Sequence, residues 1–334
     1  MRDLSTRSQF NAEYNDFLTR VPFFSVSTGF NHPVYWQYYD TTPRQKNTPC
    51  VILLPGFAET PDSLFRIALR LMDRGIRAVT VRYPVYHTVS ELLVGMEQFI
   101  ETLGASSISI VGIDVGAYIG QLYSEQRSHK VSALLLINPI PSGHYREMCT
   151  TFRHAGLMPE FVIKRAALSR LPQYVREDVV PYIDFLADRI DRLGRAEMVA
   201  QVRYTSDPSC VLGSGPSLAS KRVMIAATLD HPDNMEPIET LHAKLFPRVS
   251  VTPIQTGSTF PHLVHPDEIE MLLLTLLRRH GLDTSFKANL WQGGDKASMA
   301  GAAEGERETQ AEDAPAPLET KTEGEGEAEA ETER

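Results

Sequence analysis

Five short stretches of this chain are apolar and rich in β-branched residues: Val51–Leu54, Ala78–Val81, Ser107–Val111, Ala133–Ile137 and Val223–Ala227. Their apolar runs are continuous rather than alternating, so each reads as a strand buried on both faces. Between the first four lie amphipathic segments, Pro61–Arg74, Ser90–Leu103 and Ala117–Arg127, which read as helices. Units of this length in alternation predict a parallel sheet covered by helices on both faces. The start of the chain is more polar, and the alternating Tyr35–Tyr39 ahead of Cys50 predicts antiparallel strands at one sheet edge.

The alternation breaks after the fourth strand. From about residue 142 to residue 207 no convincing strand appears, and the stretch reads as several helices, among them Arg176–Leu193. That is the place and size of a cap inserted into an α/β sheet. Strand-like segments resume at Val223 and Val249–Ile254, and Asp267–Arg279 makes a closing helix. One domain over residues 1–286 follows. Residues 287–334 shift to Gly, Ala, Glu, Thr and Pro, a composition that buries too little apolar surface to offset ordering entropy, and are predicted to be a disordered acidic tail.

Charge refines this division. The 334 residues carry a net charge of −9, yet residues 301–334 alone hold twelve acidic and three basic side chains. The rest of the chain is neutral overall, with no basic patch to suggest a nucleic-acid partner. Cys50, Cys149 and Cys210 are far apart and suit a reducing compartment. The N-terminus has no apolar signal core, and the longest apolar stretches are too short to span a bilayer. The expected location is the cytosol, with no transmembrane segment. Histidines lie without metal-ligand spacing, and no strand leads into a GxGxxG or phosphate loop, so neither metal nor cofactor is predicted.

The segment Val111-Gly112-Ile113-Asp114-Val115-Gly116-Ala117 has small residues around a central position, as in the sharp strand-to-helix turn that displays the nucleophile of an α/β-hydrolase. The centre here is Asp114, not serine. Asp114 is either a carboxylate nucleophile or a residue suited to a tight turn and helix cap. After the first core strand comes Leu54-Pro55-Gly56-Phe57, and the backbone N–H groups of Phe57 and Val115 stand at oxyanion-hole positions. Asp230, just past Val223–Ala227, occupies the triad-acid position, though Asp is also an ordinary turn residue there. The last loop reads Thr259-Phe260-Pro261-His262, which puts Thr259 where a catalytic histidine normally precedes Phe-Pro. Threonine cannot act as a base near neutral pH. Asp114, Asp230 and Thr259 thus read as vestigial triad positions, and His262 is the candidate for a displaced base.

With these residues in view, the chain resembles the maspardin family of α/β-hydrolase-fold proteins from about Tyr14 to Gly281. The resemblance rests on Tyr14-Asn15, Val21-Pro22, Tyr83-Pro84-Val85-Tyr86, Ile183-Asp184-Phe185, Asp188-Arg189, Leu193-Gly194, Thr256-Gly257 and Phe260-Pro261-His262-Leu263. It implies an α/β-hydrolase fold with an incomplete triad. It also implies a cytosolic adaptor, peripheral on endosomal or trans-Golgi membranes, that binds a protein partner such as a membrane protein's cytoplasmic tail. The chain departs from the family at Asp114, where the family usually keeps serine. Two functions follow: a non-catalytic adaptor, or an Asp-nucleophile hydrolase of the epoxide-hydrolase or dehalogenase type. The second would use Asp114, Asp230 and His262, with Tyr174, Tyr182 or Tyr204 of the cap as activating phenols.

Overall fold

The computed structural model describes residues 2–29, 33–139, 155–172, 176–206, 222–230, 249, 251–256 and 259–280. Eight strands form one sheet in the order β1-β2-β4-β3-β5-β6-β7-β8. They are β1 Phe23–Thr28, β2 Val34–Asp40, β3 Cys50–Leu54, β4 Arg77–Arg82, β5 Ile108–Ile113, β6 Val131–Ile137, β7 Val223–Thr228 and β8 Val251–Ile254. The first two make the antiparallel edge, β2 pairing in turn with β4, and all other pairings are parallel. The sheet is that of the α/β-hydrolase fold.

The unbroken apolar runs are explained by the two cores they serve. Within β3, Ile52 and Leu54 pack on one face while Val51 and Leu53 pack on the other. The first face is covered by α3 (Val89–Leu103) and α4 (Val115–Gln126), the second by α2 (Phe65–Asp73) and the closing helix Pro266–Arg279. Also on the second face lies α1 (Arg2–Arg20), whose Phe10, Tyr14 and Phe17 meet Phe65 edge-on or tilted, with Phe185 joining the cluster. The sequence reading missed this helix. Its apolar signal is a single aromatic stripe in an otherwise polar segment, and it becomes legible only opposite the surface it covers.

The described part of the cap, between β6 and β7, is helical: α5 (Glu160–Leu168), α6 (Val180–Arg192) and α7 (Arg195–Ser206). These three share a small core of Ile163, Ala167, Ile190, Leu193, Met198 and Val202. Polar contacts bind α7 to the sheet. Glu197 takes a two-pronged ion pair from Arg82 of β4, with its second contact at 2.8 Å. The buried Tyr204 hydroxyl donates to Pro84 O at 2.7 Å and accepts from Tyr86 N–H at 2.8 Å. α6 is held by an Arg189–Asp62 ion pair at 2.9 Å, and Tyr14 of α1 donates to the same carboxylate at 2.6 Å. The predicted acidic tail, residues 287–334, lies outside the described residues.

Where β5 turns into α4, backbone crowds directly against backbone. A Cβ on Gly112 would stand 2.4 Å from Gly116 O, and one on Gly116 would stand 2.3 Å from Leu54 O. Because the obstacles are backbone, no side-chain motion relieves them. Gly116→Ala is therefore expected to cost about 3 kcal/mol or more of folding stability, while Ala117→Gly should cost only about 1 kcal/mol as a loss of helix propensity. Urea denaturation of both variants measures the difference, and equal losses would refute the steric account.

Candidate active site

Asp114 ends β5 and starts α4, with φ 51° and ψ −113°. This is not the left-handed helical well that Asp tolerates, and a side chain held there costs about 1–3 kcal/mol. Its side chain makes no cap hydrogen bond to α4, so the helix-cap explanation of this residue fails. The backbone is locked by Asp114 N–H donating to Ile137 O at 3.0 Å and Tyr118 N–H donating to Asp114 O at 3.2 Å. The elbow is thus a sharp, backbone-locked turn with the Asp114 carboxyl at its centre.

That carboxylate meets the predicted oxyanion loop directly. Phe57 N–H donates to Asp114 Oδ2 at 3.2 Å. The neighbouring donors of the loop are also engaged: Gly56 N–H gives to Glu59 Oε2 at 3.0 Å, and Ala58 N–H to Gln201 Oε1 of α7 at 2.8 Å. Val115, the other predicted oxyanion position, is the buried first residue of α4. Arg170, just past α5, brings its Nη2 to 3.9 Å from Asp114 Oδ2 and lays its guanidinium 5.7 Å from the Phe57 ring centroid.

These groups surround a small pocket. Asp114, Glu59, Phe57, Arg170 and Thr259 supply its polar and aromatic surface, and Ala167, Leu171, Leu186 and Ile190 of the cap complete an apolar wall. Two of the three vestigial triad positions, Asp114 and Thr259, are therefore together. Asp230 is not among the lining residues: it lies on the exposed turn after β7. His262 is also absent from the lining. It sits in the one-turn helix Pro261–Val264, completely buried, with Nε2 3.5 Å from Glu59 Oε1 and, among the described residues, no hydrogen-bond partner for either ring nitrogen. Among the described residues, Asp114 therefore lines the pocket without Asp230 or His262. The cap tyrosines are committed elsewhere: Tyr182 packs on Phe10, Tyr204 binds the 84–86 backbone, and Tyr174 lies outside the described residues.

The sequence reading missed Glu59, Arg170 and Gln201. An acidic residue three positions past a turn glycine ordinarily reads as solvated, and only the fold reveals that Glu59 is enclosed. Burial, reinforced by the charge of Asp114 and partly offset by the Gly56 N–H, pushes its carboxyl up to about 8. Burial pushes the His262 imidazole down to about 3. Both groups are therefore neutral near pH 7. Among the described residues no group of three or more His, Cys, Asp or Glu side chains could hold a metal ion.

Comparison with known proteins follows the same lines. No family model matches this chain. It resembles maspardin from Homo sapiens, with 26% identity over 273 residues covering 80% of this chain and 88% of the relative. Maspardin from Danio rerio gives 25% identity over 273 residues, with 80% and 87% covered. Among solved structures, a thermophilic esterase from Thermogutta terrifontis superposes with a TM-score of 0.61 at 14% identity, covering 78% of this chain and 99% of that one. An epoxide hydrolase from Vigna radiata gives 0.58 at 15%, with the same coverage. The chain is a maspardin-like protein of the α/β-hydrolase fold.

The two neutral side chains make stability depend on pH in opposite senses. Glu59 keeps a proton that the unfolded chain releases above about 4.5, so its contribution is complete below that pH and is lost as pH rises through about 8. His262 refuses a proton that the unfolded chain takes up below about 6.5, so it lowers stability as pH falls from 6.5 towards 3. The two offset each other between 4.5 and 6.5. Above 6.5 only Glu59 acts, and stability should fall by up to about 1.4 kcal/mol per pH unit until pH 8. Glu59→Gln should flatten that alkaline slope in urea titrations at stepped pH, and an unchanged slope would refute the assignment.

Proposed function

We propose that this maspardin-like protein is a non-catalytic adaptor: a hydrolase scaffold that binds the cytoplasmic tail of a membrane protein while peripheral on the cytosolic face of endosomal or trans-Golgi membranes. The observation that carries the loss of ester hydrolysis is Thr259 at the pocket position of the general base, with His262 buried behind Glu59. A substrate carbonyl would also have to compete with Asp114 for the Phe57 N–H. Support for the adaptor role comes from the resemblance to the maspardins. No helix among the described residues is long and apolar enough to cross a membrane, which suits a peripheral mode of attachment.

The cap offers a contact surface. Leu157, in the turn Ala155–Leu157 that precedes α5, and Phe161, in the first turn of α5, are 82% and 71% exposed. Large apolar side chains kept in water favour a partner contact.

Two outcomes test the reading. Purified wild type and Asp114→Ala should both leave short-chain p-nitrophenyl esters unhydrolysed above the buffer rate, and turnover that disappears in the variant would overturn it. In cells, proximity labelling should recover a membrane-protein tail with wild type and lose it with the paired Leu157→Asp and Phe161→Asp substitutions. Identical labelling by the two would remove the cap from the binding surface.

A further inference from the structure

The exposed leucine of the cap is held out by polar contacts. Arg195, at the start of α7, donates from Nε to Met158 O at 2.8 Å and from Nη2 to Gly156 O. The carbonyls on both sides of Leu157 are thus tied to one guanidinium. Arg203, about two turns further along α7, stands against the same segment, where a Cβ on Gly156 would lie 3.5 Å from its Nη2. Leu157 is 82% exposed on this fastened backbone, so it meets solvent already ordered. A partner that covers it has little ordering entropy left to offset.

Phe161 repeats the arrangement. It is 71% exposed in the first turn of α5, and the exposed Arg165 follows one helical turn later on the same face. Each of the two large apolar side chains therefore has a guanidinium close by. The acid that lies between them in the chain, Glu160, is paired with Lys164 at 2.8 Å. The charge presented beside Leu157 and Phe161 is basic.

We propose that this edge of the cap recognises an acidic, extended peptide in which each of two bulky apolar residues has a carboxylate beside it in sequence. The proposal rests on the adaptor reading and names the chemistry of the tail that such an adaptor takes. Side chains one helical turn apart have Cβ atoms about 5–6 Å apart. An extended chain advances about 3.3 Å per residue, so the partner's acid and its apolar residue stand one or two positions apart. Leu157 and Phe161 are four positions apart and so at most about 14 Å apart, which confines the two acidic–apolar pairs to a similar stretch of the partner.

The apolar anchors exclude water, and the guanidiniums at their rim select the sign of the partner. An anionic bilayer offers the same two chemistries but is flat. It would press on Glu160, which is exposed next to Phe161 in the first turn of α5. An extended peptide passes that carboxylate by.

The test uses the full-length chain and the fluorescein-labelled peptide Ser-Glu-Phe-Ser-Gly-Glu-Leu-Ser, read by fluorescence anisotropy. Wild type should bind it about tenfold or more tightly than the same peptide with lysine in place of glutamate, the size expected when two rim charge contacts are reversed. Alanine in place of its phenylalanine and leucine should abolish saturable binding. The paired Arg165→Glu and Arg203→Glu substitutions should invert the preference, so that the lysine peptide binds more tightly. A gain of that kind cannot come from a misfolded chain.

Equal affinity of wild type for the glutamate and lysine peptides, or saturable binding of neither, would overturn the proposal. So would sedimentation of wild type with phosphatidylserine-containing phosphatidylcholine vesicles that is lost when Leu157→Asp and Phe161→Asp are combined. That result would give the edge to a lipid surface. None of these outcomes touches the adaptor reading, which depends on whether a membrane-protein tail is labelled in cells at all.

Discussion

The constraint on which the site depends is backbone against backbone. β5, the start of α4 and the end of β3 converge at Gly112 and Gly116, where a single methyl would overlap a carbonyl. That convergence forces the turn to be made in one residue, and Asp114 carries the resulting positive φ. It also sets the loop after β3 against the elbow, so that Phe57 N–H and the Asp114 carboxylate face each other. The chemistry of the central side chain can change without disturbing this frame. Its geometry is dictated by the glycines.

The electrostatics of the pocket follow from the same enclosure. A buried acid and a buried imidazole lie side by side with neither charged at neutral pH, since taking either ion out of water costs several kcal/mol before any partner offsets it. Asp114 adds its charge to the burial that keeps the proton on Glu59. The deeper core handles charge differently. Arg77 and Asp40 are both almost fully buried and meet at 2.8 Å, and the guanidinium also donates to Gln45 O and Leu103 O. There the pair is saturated by partners and serves to join β2 and β4. At the pocket Glu59 instead takes the Gly56 N–H at 3.0 Å and stands near the charge of Asp114.

Much of the sheet was legible in the sequence because burial on both faces erases alternation, and the runs Val51–Leu54 and Ala133–Ile137 could be read as little else. The elbow was legible for a different reason, since Gly112 and Gly116 report a steric requirement that local sequence alone determines. The β8 strand is shorter than its predicted span, beginning at Val251. What stayed hidden depends on contacts between distant segments. Glu59 is an ordinary loop acid until the elbow and the cap close over it, and Gln201 gives no hint that its amide receives Ala58 N–H from 143 residues away. Asp230 lies on the exposed turn after β7 and is not among the residues that line the pocket, because position after a strand does not by itself say which way the turn faces. Helix α1 was missed because its aromatic stripe matters only against Phe65 and Phe185.

The cap is fastened unevenly, and this decides where it can yield. α7 is tied to the sheet by Glu197, Gln201 and Tyr204, each bonded to a different part of the core, so shifting it would break several polar contacts together. α5 rests on a few apolar side chains and reaches the core through Arg170 at a long 3.9 Å. On the α5 side the pocket wall is formed by Ala167, Arg170 and Leu171, with the guanidinium over the Phe57 ring. The exposed Leu157 and Phe161 stand on that side of the cap, the one more lightly fastened to the core.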